Sequence, residues 1–200
     1  MNSNQTQLTT ADPSALGLFG LAMVTLVASS QKLGLTTGSS YIIPWAIFLG
    51  AIAQLFASIS DSKRDNVFGT TAFGGYGLFW LGVAMSWMIS NGVFGESMAQ
   101  NADIKQLGVA FIGYFIFSVV MTIASLGTNK VLMAIFILID FLFLGLSLSV
   151  VWGIHWGHTM AAYSELFISI IGFYGFSANI LNTHFGKLTL PVGEPLKIFK

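Results

Sequence analysis

An all-α bundle that crosses a membrane six times is the fold this sequence predicts, and three observations predict it. Charged residues occupy only 8% of the 200 positions, where a soluble domain carries about a quarter. Six separate windows each offer the roughly 20 predominantly apolar residues that a helix needs to cross the hydrocarbon core. No segment alternates with the period of two that a membrane β-barrel strand requires. A mean hydropathy of +0.78 and a hydrophobic content of 54% fit the same class.

In chain order, residues 1–200 read as one membrane domain. A polar tail occupies 1–13, and Met1 to Ala15 contain no Lys or Arg. A cleaved leader needs a basic start, so this segment is expected to be retained. The spans fall at about 14–33, 41–59, 68–89, 107–126, 131–152 and 161–181, followed by a tail at 182–200. Turn and breaker chemistry separates them: a Gly/Thr/Ser-rich stretch at 34–40, Ser-Asp-Ser-Lys-Arg-Asp-Asn at 60–66, and Gly127-Thr128-Asn129-Lys130. On the second span Ala46, Gly50, Ala53 and Ala57 make a ridge of small residues, which lets helix backbones approach closely. The third span is rich in glycine, and Gly74-Gly75-Tyr76-Gly77 is read first as packing, with a bend beside a pore as the alternative.

Six spans put both termini on one side of the bilayer. That side carries Lys63, Arg64, Lys130, Lys187, Lys197 and Lys200, against Lys32 and Lys105 opposite. The excess of Lys and Arg in cytoplasmic loops predicts cytoplasmic termini and a multi-pass protein of the plasma membrane.

Several function classes drop out. The formal charge is zero and the pI about 6.8, so no basic stripe awaits nucleic acid. The chain lacks cysteine, which excludes thiolate metal sites and cysteine nucleophiles. It contains no HExxH, GxSxG or P-loop pattern, and an enzyme is not expected. His155, His158 and His184 are expected outside the spans, so haem ligation within the bundle is not expected. Together with Trp152 and Trp156, the first two read as an interfacial belt. No cofactor and no metal is anticipated.

With charge so scarce, polar groups inside the spans carry the information. Gln54 reads equally well as an interhelical hydrogen-bonding group or a pore-lining one. Thr70 and Thr71 are expected to bond back to their own helix carbonyls. Tyr76 lies near the middle of the third span, and Asn179 lies toward the end of the sixth. Asp140 is centred in the fifth, within Ile-Leu-Ile-Asp-Phe-Leu-Phe. A mid-membrane carboxylate must be paired, wet or protonated, which makes Asp140 a proton-handling candidate, with a neutral structural acid as the alternative.

Three stretches resemble the acetate uptake transporter family, the succinate–acetate permeases of microbes. The first is Asp12-Pro13-Ser14-Ala15-Leu16-Gly17-Leu18, similar to the family signature Asn-Pro-Ala-Pro-Leu-Gly-Leu. The second runs Gly50-Ala51-Ile52-Ala53-Gln54-Leu55-Phe56-Ala57, then Asn66-Val67-Phe68-Gly69-Thr70-Thr71-Ala72-Phe73, ending in Tyr76-Gly77-Leu78-Phe79-Trp80. The third is the tail from Phe185 to Glu194. The resemblance implies a hexamer of six-helix protomers, each with its own path for acetate and related short carboxylates, succinate in some members, accompanied by protons. It implies an apolar constriction of Phe, Tyr and Leu, which falls on Leu21, Tyr76 and Ile139. Substrate-binding candidates within the similar stretches and spans are Asp12, Pro13, Leu16, Gly17, Gln54, Thr70, Thr71, Phe73 and Asn179. Asp12 departs from the signature Asn and places a negative charge at the mouth, while Asn179 stands where a Glu is usual. The alternative reading is a channel for a neutral solute such as urea, ammonia or undissociated acid. A scaffold or sensor without transport is a third, and the short polar tails argue against it.

Overall fold

The computed structural model describes residues 11–196 and 198. The tail at 1–10, and the Lys197 and Lys200 of the charge count, lie outside the described residues. Among the described residues six helices are long and apolar enough to cross a membrane: Ser14–Lys32, Ile42–Ser62, Val67–Ser90, Ile104–Ser125, Lys130–Trp152 and His155–Phe185. They are called spans one to six below. No strand occurs among the described residues. The long third connection folds a short helix, Glu96–Gln100, with no buried residue.

Local chemistry starts and stops these helices. At the head of span one the Asp12 carboxylate accepts the Ser14 N–H at 2.9 Å. Asn66 accepts the Gly69 N–H at 3.1 Å at the head of span three, and Asn129 accepts the Leu132 N–H at 2.9 Å at the head of span five. Each side-chain oxygen satisfies one of the free donors that a helix start leaves. Spans five and six end on Gly153 and Gly186 in the left-handed conformation (φ 68 and 61), which glycine adopts without a Cβ penalty.

Three sequence expectations need correction. The polar stretch at 60–66 is not all loop, because span two runs to Ser62 and carries Asp61 into the buried interior. Span six begins at His155 and has 31 residues, roughly 46 Å at 1.5 Å per residue. His155, His158 and His184 therefore sit within that helix, near its two ends, and not in loops. Finally, Ala46–Ala53 in span two is wound as a π-helix, a winding that no composition announces and that recurs at functional sites.

The spans pack in a closed circuit. Span one lies against span six, six against five, five against four, two against three and one, and three more loosely against four. Odd and even spans thus alternate around the bundle. The small-residue ridge is buried at all four positions, and a Cβ on Gly50 would come within 2.7 Å of the Trp80 ring. Spans five and six touch backbone to backbone: a Cβ on Gly145 would stand 2.5 Å from the Gly157 carbonyl oxygen. Gly74, Gly75 and Gly77 of span three pack, against Ser58, the Phe117 ring and Leu55 in turn, and the helix runs unbroken through them. Interhelical polar contacts are few and short. Ser169 donates to the Ala22 carbonyl and Ser58 to the Thr70 carbonyl, each at 2.8 Å. Beyond span six the chain doubles back, held by Asn182, which accepts the N–H groups of Thr189 (2.7 Å) and Leu190 (2.9 Å).

Candidate functional site: a constricted path through the bundle

A cavity of about 270 Å³ opens on the side that carries both termini. Its wall includes Asp12, Ser14, Gln54, Asp61, Asn66, Phe73, Asn129 and Asn179, and its floor is Leu21, Tyr76 and Ile139. On the far side of that floor lies a second, small cavity of about 10 Å³, lined by Leu21, Tyr76 and Ile139 again, with Thr25, Phe79, Trp80 and Phe143. A site needs about 10–15 Å³ to hold one water, so the path is all but dry there. Leu21, Tyr76 and Ile139 are 8%, 4% and 3% exposed, and they come from spans one, three and five. The three alternating helices of the circuit each put one side chain on the same plug.

Aromatic packing fixes the plug. Tyr76 sits edge-on to Phe117 and parallel to Phe143, with ring centroids 5.4 and 6.4 Å away. Its hydroxyl shares a hydrogen bond of 2.8 Å with Ser118 of span four. Above it Phe79 meets Phe143 edge-to-face at 4.9 Å, and Tyr114 stacks on Phe143 at 5.5 Å while donating to the Gly75 carbonyl at 3.0 Å. Buried edge-to-face and offset pairs contribute about 0.5–1.5 kcal/mol each beyond their area. This half of the path is closed by packed rings.

The terminus-side cavity has a different electrostatic character. Odd spans all start on this side, so three helix N-termini converge on it. Each brings partial positive charge and free N–H groups. Because Asn66 and Asn129 spend their oxygens on capping, their amide NH₂ groups are left as donors, that of Asn66 beside the Asp61 carboxylate and that of Asn129 at the cavity wall. Among the described residues no Lys or Arg lines this cavity. Two carboxylates do: Asp12 and Asp61.

These two acids are unlike. Asp12 is exposed and lies 3.5 Å from Arg64, so its charge is offset at the mouth; an exposed pair of this kind contributes at most about 1 kcal/mol. Asp61 is 1% exposed, and among the described residues its Oδ2 has no hydrogen-bond partner. A Cβ at position 69 would overlap that same oxygen, so a glycine there is what makes room for the carboxylate. An ionised carboxylate buried without a partner costs several kcal/mol.

The other candidates distribute as follows. Gln54 lines the cavity, and its amide donates to the Gly50 carbonyl of its own helix at 2.8 Å, inside the π segment. Phe73 and Asn179 are on the wall. Pro13 is buried at the head of span one, and Gly17 is buried against the face of the Phe73 ring. Leu16 is 44% exposed and Thr71 is exposed, both off the cavity wall. Thr70 is also off the wall, and its hydroxyl bonds nothing among the described residues, contrary to the expected back-bond. Asp140 follows Ile139 but turns toward span four, where Oδ2 accepts the Thr122 hydroxyl at 2.7 Å. It lines neither cavity.

Comparison with known proteins now adds to this geometry. A sequence profile of the GPR1/FUN34/yaaH family matches residues 2–194. The chain belongs to that family. It is 32% identical over 188 residues to the succinate-acetate/proton symporter SatP of Escherichia coli, covering 92% of this chain and 96% of that one. The structure of the bacterial acetate channel SatP superposes with a TM-score of 0.85 at 29% identity, over 92% of this chain and all of that one. A yeast member, the ammonia transport outward protein 2 of Saccharomyces cerevisiae, is 29% identical over 70% of this chain, which spans half of that protein's length.

Two buried acids of this family member escape a reading of composition. Asp61 extends the ridge of Ala46, Gly50, Ala53 and Ala57 by one more step of four, which is the signal that places it on the inner face. Glu165, 2% exposed in span six, accepts from Lys32 Nζ at 2.8 Å. Among described residues it gives span six a charge partner at the far end of span one.

Proposed function

We propose that this protein moves acetate and related short carboxylates, succinate included, across the plasma membrane through a path in each protomer, with protons accompanying the solute. Both termini face the cytoplasm in this reading, which rests on Lys63, Arg64, Lys130 and Lys187 on that side against Lys32 and Lys105 on the other. The protein works as a homo-oligomer, a hexamer by the resemblance already described. The observation that carries the transport reading is the shared floor: Leu21, Tyr76 and Ile139 separate a polar cavity from a nearly dry one. Three converging helix N-termini and two asparagine amides solvate a carboxylate end, while apolar walls accept a methyl group. A dry apolar constriction holds back hydrated ions.

Radiolabelled acetate uptake into proteoliposomes under an imposed proton gradient tests this. Uptake well above that of empty vesicles is expected, and uptake equal to theirs ends the proposal. Tyr76→Ala removes the ring that fills the constriction and is expected to raise the flux of larger carboxylates relative to acetate; an unchanged ratio takes Tyr76 out of the path.

One observation favours a second reading, a channel for a neutral solute such as ammonia, urea or undissociated acid. The cavity carries two acids and, among described residues, no Lys or Arg. Stopped-flow swelling with urea and with ammonium salts, set beside acetate, separates the two readings.

A further inference from the structure

A path for carboxylates with a buried carboxylate on its wall, one oxygen of which lacks a hydrogen-bond partner among the described residues, poses an electrostatic problem. Asp61 and an anionic solute cannot both be charged in one cavity of about 270 Å³ from which, among the described residues, every Lys and Arg is absent. Like charges that share a secluded site share a proton. The groups that face Asp61 leave it as the place for that proton. From the segment ahead of span one comes Asp12, and from the loop after span two Arg64, and these two pair with each other at 3.5 Å. Spans three, five and six contribute Asn66, Asn129 and Asn179, none of which titrates. The Tyr76 hydroxyl at the floor is engaged with Ser118. Asp140 faces Thr122, away from the cavity.

We infer that Asp61 is the proton-exchanging group of the path, the carboxyl that passes one proton to each carboxylate before it crosses the constriction. This rests on the carboxylate reading above. The exchange balances without redox chemistry: the O–H bond of protonated Asp61 breaks, an O–H bond forms on the solute carboxylate, and Asp61 is left ionised. The solute then passes Leu21, Tyr76 and Ile139 as a neutral acid, and Asp61 takes its next proton from water at the open end of the cavity. In the opposite direction an incoming acid protonates ionised Asp61 and leaves as the anion, and Asp61 then releases the proton to water at the same open end. Each cycle moves one proton and one carboxylate the same way, with no net charge. The converging N-termini serve the anion before transfer, and the dry floor favours the neutral form after it.

The test uses the full chain, purified and reconstituted. Acetate binding and uptake by the wild type are expected to weaken steeply as pH rises from about 5.5 to 8, approaching about tenfold per pH unit, the limit for one linked proton. Asp61→Asn is expected to flatten that profile by cutting uptake at the lower end of the range, where Asp61 carries its proton, by about tenfold or more, while Asp61→Glu keeps the wild-type profile. A wild-type profile in Asp61→Asn overturns the inference and leaves the acetate reading intact. A wild type that takes up no acetate overturns the acetate reading, and the inference falls with it. Should Asp61→Asn fail to assemble, the wild type decides by infrared difference spectroscopy with carboxyl-¹³C acetate, whose own bands are shifted away. Loss of a protonated-carboxyl band when acetate binds supports the exchange, and no such change overturns it.

Discussion

The two halves of the bundle each bury a carboxylate, and they treat it in opposite ways. On the side away from the termini Glu165 is clamped by Lys32 at 2.8 Å, with side chains 2% and 13% exposed. On the terminus side Asp61 is equally buried, has an unpartnered oxygen, and borders open volume. A paired acid in a tightly packed region is an internal tie between spans one and six. An unpaired acid on a cavity wall is held ready for something that enters the cavity. Burial alone does not separate structural acids from functional ones; the partner and the adjacent volume do.

Substitutions at the two sites can break this contrast. Glu165→Gln leaves Lys32 without its counter-charge, and breaking a buried pair costs about 3–5 kcal/mol. A marked fall in the thermal unfolding midpoint in detergent is expected. Asp61→Asn removes an acid and strands no cation, so its unfolding midpoint should stay level or rise while transport suffers. If the two variants lose stability alike, the contrast fails. A smaller effect is expected of Gly69→Ala. Its methyl overlaps the Asp61 oxygen, and overpacking of this kind costs about 1–3 kcal/mol. Uptake should fall with stability, and combining it with Asp61→Ala should recover part of the stability, since the Asn66 amide nitrogen still stands 2.6 Å from the same methyl. The smallest effect is expected of Asp140→Asn: an amide oxygen still accepts the Thr122 hydroxyl, so the pH profile of acetate uptake should be that of the wild type. A displaced profile would move the proton site from span two to span five.

Much of this architecture was legible in the residues. Six apolar windows with breakers between them sufficed for the fold class, since a bilayer admits few alternatives. The buried ridge of span two was visible in the spacing of Ala46, Gly50, Ala53 and Ala57. What escaped did so for physical reasons. Asp61 sits in a stretch whose composition says loop, yet its helix continues because Asp61 has buried space beside Gly69 to enter. Glu165 is one acid in an otherwise apolar window, and Lys32, its partner, is remote in sequence and adjacent only once spans one and six pack. The π winding at Ala46–Ala53 depends on how span two meets its neighbours, for which periodicity carries no code. Asp140 drew notice as the most conspicuous charge in the chain, but its direction was set by a helix rotation that a hydrophobic segment does not encode.

The heads of spans one, three and five all look toward one compartment, and none looks toward the other. They offer N–H donors and partial positive charge to a carboxylate at a single entrance, so the two doors of this path differ in how readily they fill. A passive route must still carry equal traffic both ways when the solute's activity is equal on the two sides. What the dipoles are free to set is the concentration at which each door becomes half occupied, and the lower value belongs to the side where the three heads gather.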